Sequence, residues 1–227
     1  MKKSGIKQPS GLDAVTKAQK IILRYAKQFF IEVKAGKKNR RLVNKLAKGN
    51  LPIKLELGET KTREGMRDWI KVDLGHGADL RLDLSKPLPI PDDFADIIYS
   101  SHLLEHFSYP HPLLDLLKEC RRILKPGGIF SACVPNARIY TEAYLNKKAP
   151  VSGNFLKNNS ESFFNSPIDY LNRIAYMHGE HKYMFDEENL PIILEKSGFR
   201  NVKLRKFDPN LDRKERLFES IYVQGVK

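Results

Sequence analysis

The chain has 227 residues, 41% of them hydrophobic and 30% charged, with a formal net charge of +13. That apolar content supports a packed core and excludes global disorder, and no apolar run nears the roughly 20 residues a membrane span requires. Residues 1–50 hold 14 Lys and Arg against Asp13 and Glu32, whereas the remaining 177 residues hold 26 basic and 25 acidic side chains.

The basicity therefore belongs to an N-terminal arm, 1–50, ahead of a nearly neutral body, 51–227. MKKSGIKQPSG starts like a signal n-region, but Gly, Gln, Pro and Ser follow in place of an apolar core, so a cytoplasmic protein is expected. Val15, Ala18, Ile22, Ala26, Phe29, Phe30 and Val33 recur at helical spacing, with Lys17, Lys20, Arg24, Lys27 and Lys34 largely between them. Ala35-Gly36 and the basic run Lys37–Arg41 are expected to stop this helix. Four uses remain open for it. Its apolar face can pack on its own domain; residues 13–41 can lie on an anionic membrane at its inner face; it can follow a phosphate backbone; or it can serve a dimer contact. Tyr25, Phe29 and Phe30 track the apolar face and form no stacking row, which counts against nucleic acid.

From Leu51 the pattern is α/β. Ile53–Leu57, Trp69–Leu74 and Ala78–Leu84 read as three strands. Only the ten residues Glu59–Asp68 join the first two, fewer than the dozen or more of a usual crossover, so the first helix is a single turn or missing. Next come a strand around Ile97–Tyr99, an amphipathic helix, the break Lys125-Pro126-Gly127-Gly128 and a strand at Ile129–Val134. This is a parallel βαβ unit, which binds ligands at the carboxyl ends of its strands, here at Ser100-Ser101-His102. Cys120 and Cys133 fall in this unit as core-filling thiols.

Residues 135–183 show no clear strand and are rich in aromatics, among them Tyr140, Tyr144, Phe155, Phe163, Phe164, Tyr170 and Tyr176. A long excursion after a sheet strand reads as an acceptor-binding lid. A helix from Asp186 to about Ser197, ended by Gly198, precedes closing strands at Val202–Lys206 and Ser220–Val226.

Three groups of residues carry chemistry. Glu56-Leu57-Gly58-Glu59-Thr60 is a turn where backbone can approach a ligand closely, although the β-branched Thr60 tolerates left-handed backbone poorly. Asp73, at the end of the second strand, is placed to accept ribose hydroxyls. His102-Leu103-Leu104-Glu105-His106 matches H-x-x-E-H, which on a helix sets two imidazoles toward one zinc. No third ligand stands at a helical offset downstream, and no metal is expected. His102 is then the candidate general base and His106 structural, with His181, in the cluster Tyr176–Tyr183, as second base.

The blocks PLPIPDDFADIIYSSHLLEH and LKPGG, in this order after Gly58, resemble the class I S-adenosylmethionine-dependent methyltransferases of the type 11 group. The resemblance implies a Rossmann-like, seven-stranded, mostly parallel sheet with an antiparallel last strand. It implies S-adenosylmethionine as cofactor and S-adenosylhomocysteine as product, held by Glu56, Gly58, Glu59, Asp73, Asp83, Leu84, Ser100 and Ser101. Asp83 matches the residue that meets the adenine amino group in that family, and Thr60 replaces its usual second glycine. The closing segment resembles small methyltransferases of cell-surface glycan pathways, which implies a saccharide or other small-molecule hydroxyl as acceptor. The competing expectations are a fold that binds without transfer, and a nucleic-acid-binding protein acting through the arm.

Overall fold

The computed structural model describes residues 35–148 and 166–227. The arm face from Val15 to Val33 and the aromatics Phe155, Phe163 and Phe164 lie outside them.

The described chain opens on a helix, α1, over residues 35–47. Gly36 and the basic run are therefore helical, where the sequence was expected to stop a helix. Tertiary contacts outweigh the weak propensities: Val43 is buried in the main core, with Leu42 and Leu46 packed against it. The Asn39 side chain adds a two-way clamp, donating to the Arg81 carbonyl at 2.8 Å and accepting the Arg81 N–H at 3.1 Å.

The sheet is built from β1 (Lys54–Leu57), β2 (Ile70–Asp73), β3 (Leu80–Arg81), β4 (Ala95–Ser101), β5 (Leu124–Pro135), β6 (Arg200–Leu204) and β7 (Ser220–Val226). Its order is β3-β2-β1-β4-β5-β7-β6, parallel except that β7 runs antiparallel to both β5 and β6. No helix joins β1 to β2, as the short connection predicts. The third strand is two residues long, not seven, because the aspartates beside it bond locally. Asp79 accepts the Lys71 N–H at 3.0 Å, and Asp83 accepts the Ser85 N–H at 3.0 Å.

α2 (Leu113–Ile123) buries Leu113, Leu116, Leu117, Cys120 and Ile123, the single face its periodicity predicts. It runs straight into β5, so the Lys125–Gly128 break is part of that strand and not a separator. Ala95 pairs with Leu124 and Ile97 with Ile129, which leaves Lys125–Gly128 as a bulge opposite Asp96. Asp96 holds that bulge, accepting from the Lys125 ammonium at 2.8 and 2.9 Å and from the Ile53 N–H at 2.7 Å.

Beyond β5, α3 (Ala137–Leu145) and α4 (Pro167–Tyr176) pack on each other, and no strand intervenes among the described residues. α4 starts at a capping box formed by Ser166 and Asp169. α5 (Asn189–Lys196) begins three residues after Asp186, whose carboxylate accepts the N–H groups of Glu188 and Asn189. In the last hairpin β6 lies two residues earlier than its sequence suggests, since Gly198, at φ +91, turns the chain directly into it, whereas β7 has the expected bounds.

Candidate active site at the strand ends

The carboxyl ends of β1, β2 and β4 meet along one edge, with Leu57 paired to both Val72 and Ser100. Gly58 makes the turn out of β1 at φ +76, its N–H donating to the Val72 carbonyl at 2.9 Å. A Cβ there would lie 2.8 Å from Leu103 Cδ1, so only glycine fits. Thr60 is not in left-handed backbone, and its side chain instead packs against Gly75 and Gly77 in the β2–β3 turn. The missing second glycine therefore strains nothing.

Each sequence-predicted residue can now be placed. Glu56 is buried and tied to Arg63, whose Nε donates to it at 2.9 Å. Glu59 accepts the N–H groups of Thr60 and Lys61 through Oε1 and pairs with Arg213 through Oε2. Asp73 accepts the Gly75 N–H at 2.6 Å. The Ser100 hydroxyl is buried and has no hydrogen-bond partner among the described residues, an unsatisfied polar atom at the strand junction. The neighbouring Ser101 accepts from Arg216 through both its carbonyl and its hydroxyl.

Asp83 and Leu84 stand apart from this group. Leu84 belongs to the core. Asp83 accepts from the Ser85 hydroxyl at 2.6 Å, which with Lys86 holds its carboxyl below the ordinary range. It lines a slot with Leu74, Arg81, Leu82, Lys86 and Pro89, whose other wall is Ala35, Gly36 and Asn39 of α1.

His102 sits just past β4 in left-handed backbone, φ +50, a conformation that non-glycine residues hold only where surroundings impose it. Its Nε2 lies 2.7 Å from the Ser220 hydroxyl, and its Nδ1 lies 3.9 Å from a Glu105 oxygen. Burial, and then the nearby Arg216, His181 and His106, hold its pKa well below the usual range. His102 shares a pocket with Tyr140, Arg173, His181, Arg216 and Glu219. The Tyr140 hydroxyl donates to Glu219 at 2.7 Å, and burial raises the Glu219 pKa. His181 is buried, with Nδ1 2.7 Å from the Ile174 carbonyl, and burial lowers its pKa. The expected pair of His102 and His181 is thus brought to one cavity by the returning segment.

Sequence reasoning missed Arg63, Arg213 and Arg216. The last two belong to the run Asp212–Arg216, which reads as a solvated stretch until topology places the β6–β7 connection over the strand ends. It also weighed His102 and His106 as a metal pair and found no third ligand, whereas the ligand atoms that converge are those of Glu105, His106 and a third residue. That third residue is His181, 75 residues downstream of His106, where only the fold could reveal it.

Residues 61–132 match a family described as a methyltransferase domain. That match spans 72 of the 227 residues, so this likeness to a methyltransferase domain is carried by under a third of the chain. The chain is also 30% identical over 84 residues to a curated protein of Mycolicibacterium smegmatis described as a probable S-adenosylmethionine-dependent methyltransferase. That match covers 37% of this chain and 29% of the relative, so it spans under a third of the relative's length. Among solved structures, an S-adenosylmethionine-dependent methyltransferase from Archaeoglobus fulgidus is 21% identical at a TM-score of 0.48, covering 86% of this chain and 94% of its own. Another, from Thermotoga maritima and described as an S-adenosylmethionine-dependent methyltransferase and possible histamine N-methyltransferase, is 16% identical at 0.47, covering 90% and 97%.

The site's donor set suits the family's cofactor, S-adenosylmethionine. Ser100 presents an unsatisfied hydroxyl at the strand ends, and the carboxylate of Asp73, at the end of β2, can accept hydroxyl donors such as those of a ribose.

Proposed function

We propose that the protein transfers the methyl group of S-adenosylmethionine to a hydroxyl of a saccharide or another small-molecule acceptor. The observation that carries the reading is the common edge that joins Gly58, Asp73, Ser100 and Ser101 to the pocket of His102. S-adenosylmethionine supplies the electrophilic methyl. Gly58, Glu59, Ser100 and Ser101 would surround its amino-acid end, Asp73 its ribose, and the slot between α1 and Asp83 its adenine.

On the acceptor side, a depressed pKa keeps His102 neutral at physiological pH, with a lone pair ready for the acceptor proton. The Ser220 hydroxyl, 2.7 Å from Nε2, fixes the ring's orientation. His181 donates through Nδ1 to a backbone carbonyl and offers only Nε2 to the pocket. Arg216, which gives one guanidinium nitrogen to Ser101, keeps further N–H groups that can donate to a polyhydroxylated acceptor. Because positioning in line provides much of such catalysis, the shape of the pocket matters as much as the base.

The test is transfer of labelled methyl from S-adenosylmethionine to a panel of monosaccharides, nucleotide sugars and small alcohols. Turnover on at least one hydroxyl, reduced about 100-fold or more by His102→Ala with product affinity retained, is the expected result. Methylation confined to nitrogen or carbon acceptors would overturn the hydroxyl assignment.

A further inference from the structure

Glu105, His106 and His181 offer ligand atoms within 4.8 Å of one another. They reach that point from two directions. Glu105 and His106 lie on the 3-10 turn Leu104–His106 that follows β4, and His181 lies on the segment returning from α4. Backbone bonds fasten the two together, since the Lys182 and Tyr183 N–H groups both donate to the Glu105 carbonyl, at 2.8 and 3.2 Å.

The donor atoms face inward for a chemical reason. A carbonyl can only accept, so the contact of His181 Nδ1 with the Ile174 carbonyl at 2.7 Å places the proton on Nδ1 and the lone pair on Nε2. His106 Nδ1, 3.3 Å from the Glu180 carbonyl, is fixed in the same sense. Backbone carbonyls holding the outer nitrogens of two imidazoles are the usual outer support of metal-ligating histidines. The two rings meet edge to face with centroids 5.0 Å apart, and a nitrogen of each lies within 4.8 Å of the other and of a Glu105 oxygen.

Glu105 is the independent observation. It is 2% exposed, and neither carboxylate oxygen has a hydrogen-bond partner among the described residues. A buried carboxylate in that condition is costly unless it takes up a proton or meets a cation.

We propose that Glu105, His106 and His181 form a binding site for a divalent transition metal, with zinc the best match to two imidazoles and one carboxylate. Such a three-ligand set leaves a coordination position open. The site borders the pocket lined by His102, Tyr140 and Arg173, so the open position would serve a ligand entering that pocket. The inference does not depend on methyl transfer, because the three residues meet without any part of the Gly58 turn or Asp73.

The test uses the full chain, freed of metal by chelator and dialysis, with zinc chloride and cobalt chloride alone as probes. Expected are one equivalent of zinc per chain by calorimetry, a raised melting temperature, and the intense visible bands of four-coordinate cobalt. His181→Ala and Glu105→Gln should each weaken zinc binding by about tenfold or more. If His181→Ala fails to fold, the cobalt spectrum of the unaltered chain and the milder Glu105→Gln variant still decide. No binding, a weak six-coordinate cobalt spectrum, or affinity unchanged in Glu105→Gln would overturn the proposal.

Discussion

One nitrogen of the Arg216 guanidinium donates to both the carbonyl and the hydroxyl of Ser101, at 2.7 and 2.8 Å. The contact bolts the β6–β7 connection onto the end of β4, and Arg213 does the same at Glu59 beside the β1 turn. Two cations thus flank the edge where the carboxylate of a cofactor's amino-acid end would lie. Arg216→Ala should weaken S-adenosylhomocysteine binding about tenfold, or 1.4 kcal/mol, measured by calorimetry. Unchanged affinity would show that Arg216 is only a structural tie.

Gly58 permits a second, sharper test. Gly58→Ala forces a Cβ into Leu103 and strains left-handed backbone by about 1–2 kcal/mol. The variant should melt earlier and lose ligand binding. Adding Leu103→Ala removes the overlap but not the strain, so stability should return only in part. Full recovery in the double variant would place the whole cost in the side-chain overlap.

α1 is fastened to the sheet edge by Asn39, which is 5% exposed and bonded both ways to the Arg81 backbone. Asn39→Ala should cost about 1–3 kcal/mol in urea unfolding, because the Arg81 groups lose their partner as well. An unchanged midpoint would mean that α1 contributes nothing to the domain.

Glu219 sets a pH dependence. Burial raises its folded pKa above the ordinary value of 4.5. Its stabilising contribution is therefore complete below the unfolded value and is lost as pH rises through the folded one. Glu219→Gln keeps an acceptor for Tyr140 but cannot ionise, so its melting temperature relative to the unaltered protein should climb from pH 4.5 upward. A gap that stays constant with pH would sink this account.

The parallel core was legible because its strands and α2 each carry one clear periodicity, and because the short Glu59–Asp68 link leaves no room for a helix. The boundaries read wrongly where local rules met tertiary contacts. Gly36 is helical because Val43 and Asn39 anchor its helix, and the Lys125–Gly128 break is a bulge held by Asp96. At the site, residues on consecutive strand ends could be read in order along the chain. Arg63, Arg213, Arg216 and the meeting of His181 with Glu105 could not, since charged and polar residues acquire partners only through topology.

The central claim is that the edge joining Gly58, Asp73 and Ser100 binds S-adenosylmethionine. Calorimetric titration of S-adenosylhomocysteine into the unaltered protein and into Asp73→Ala tests it most directly. The account predicts micromolar binding that Asp73→Ala weakens about tenfold or more, a loss of about 1.4 kcal/mol. No heat and no thermal stabilisation at a large excess of ligand, or equal affinity in the two proteins, would contradict it.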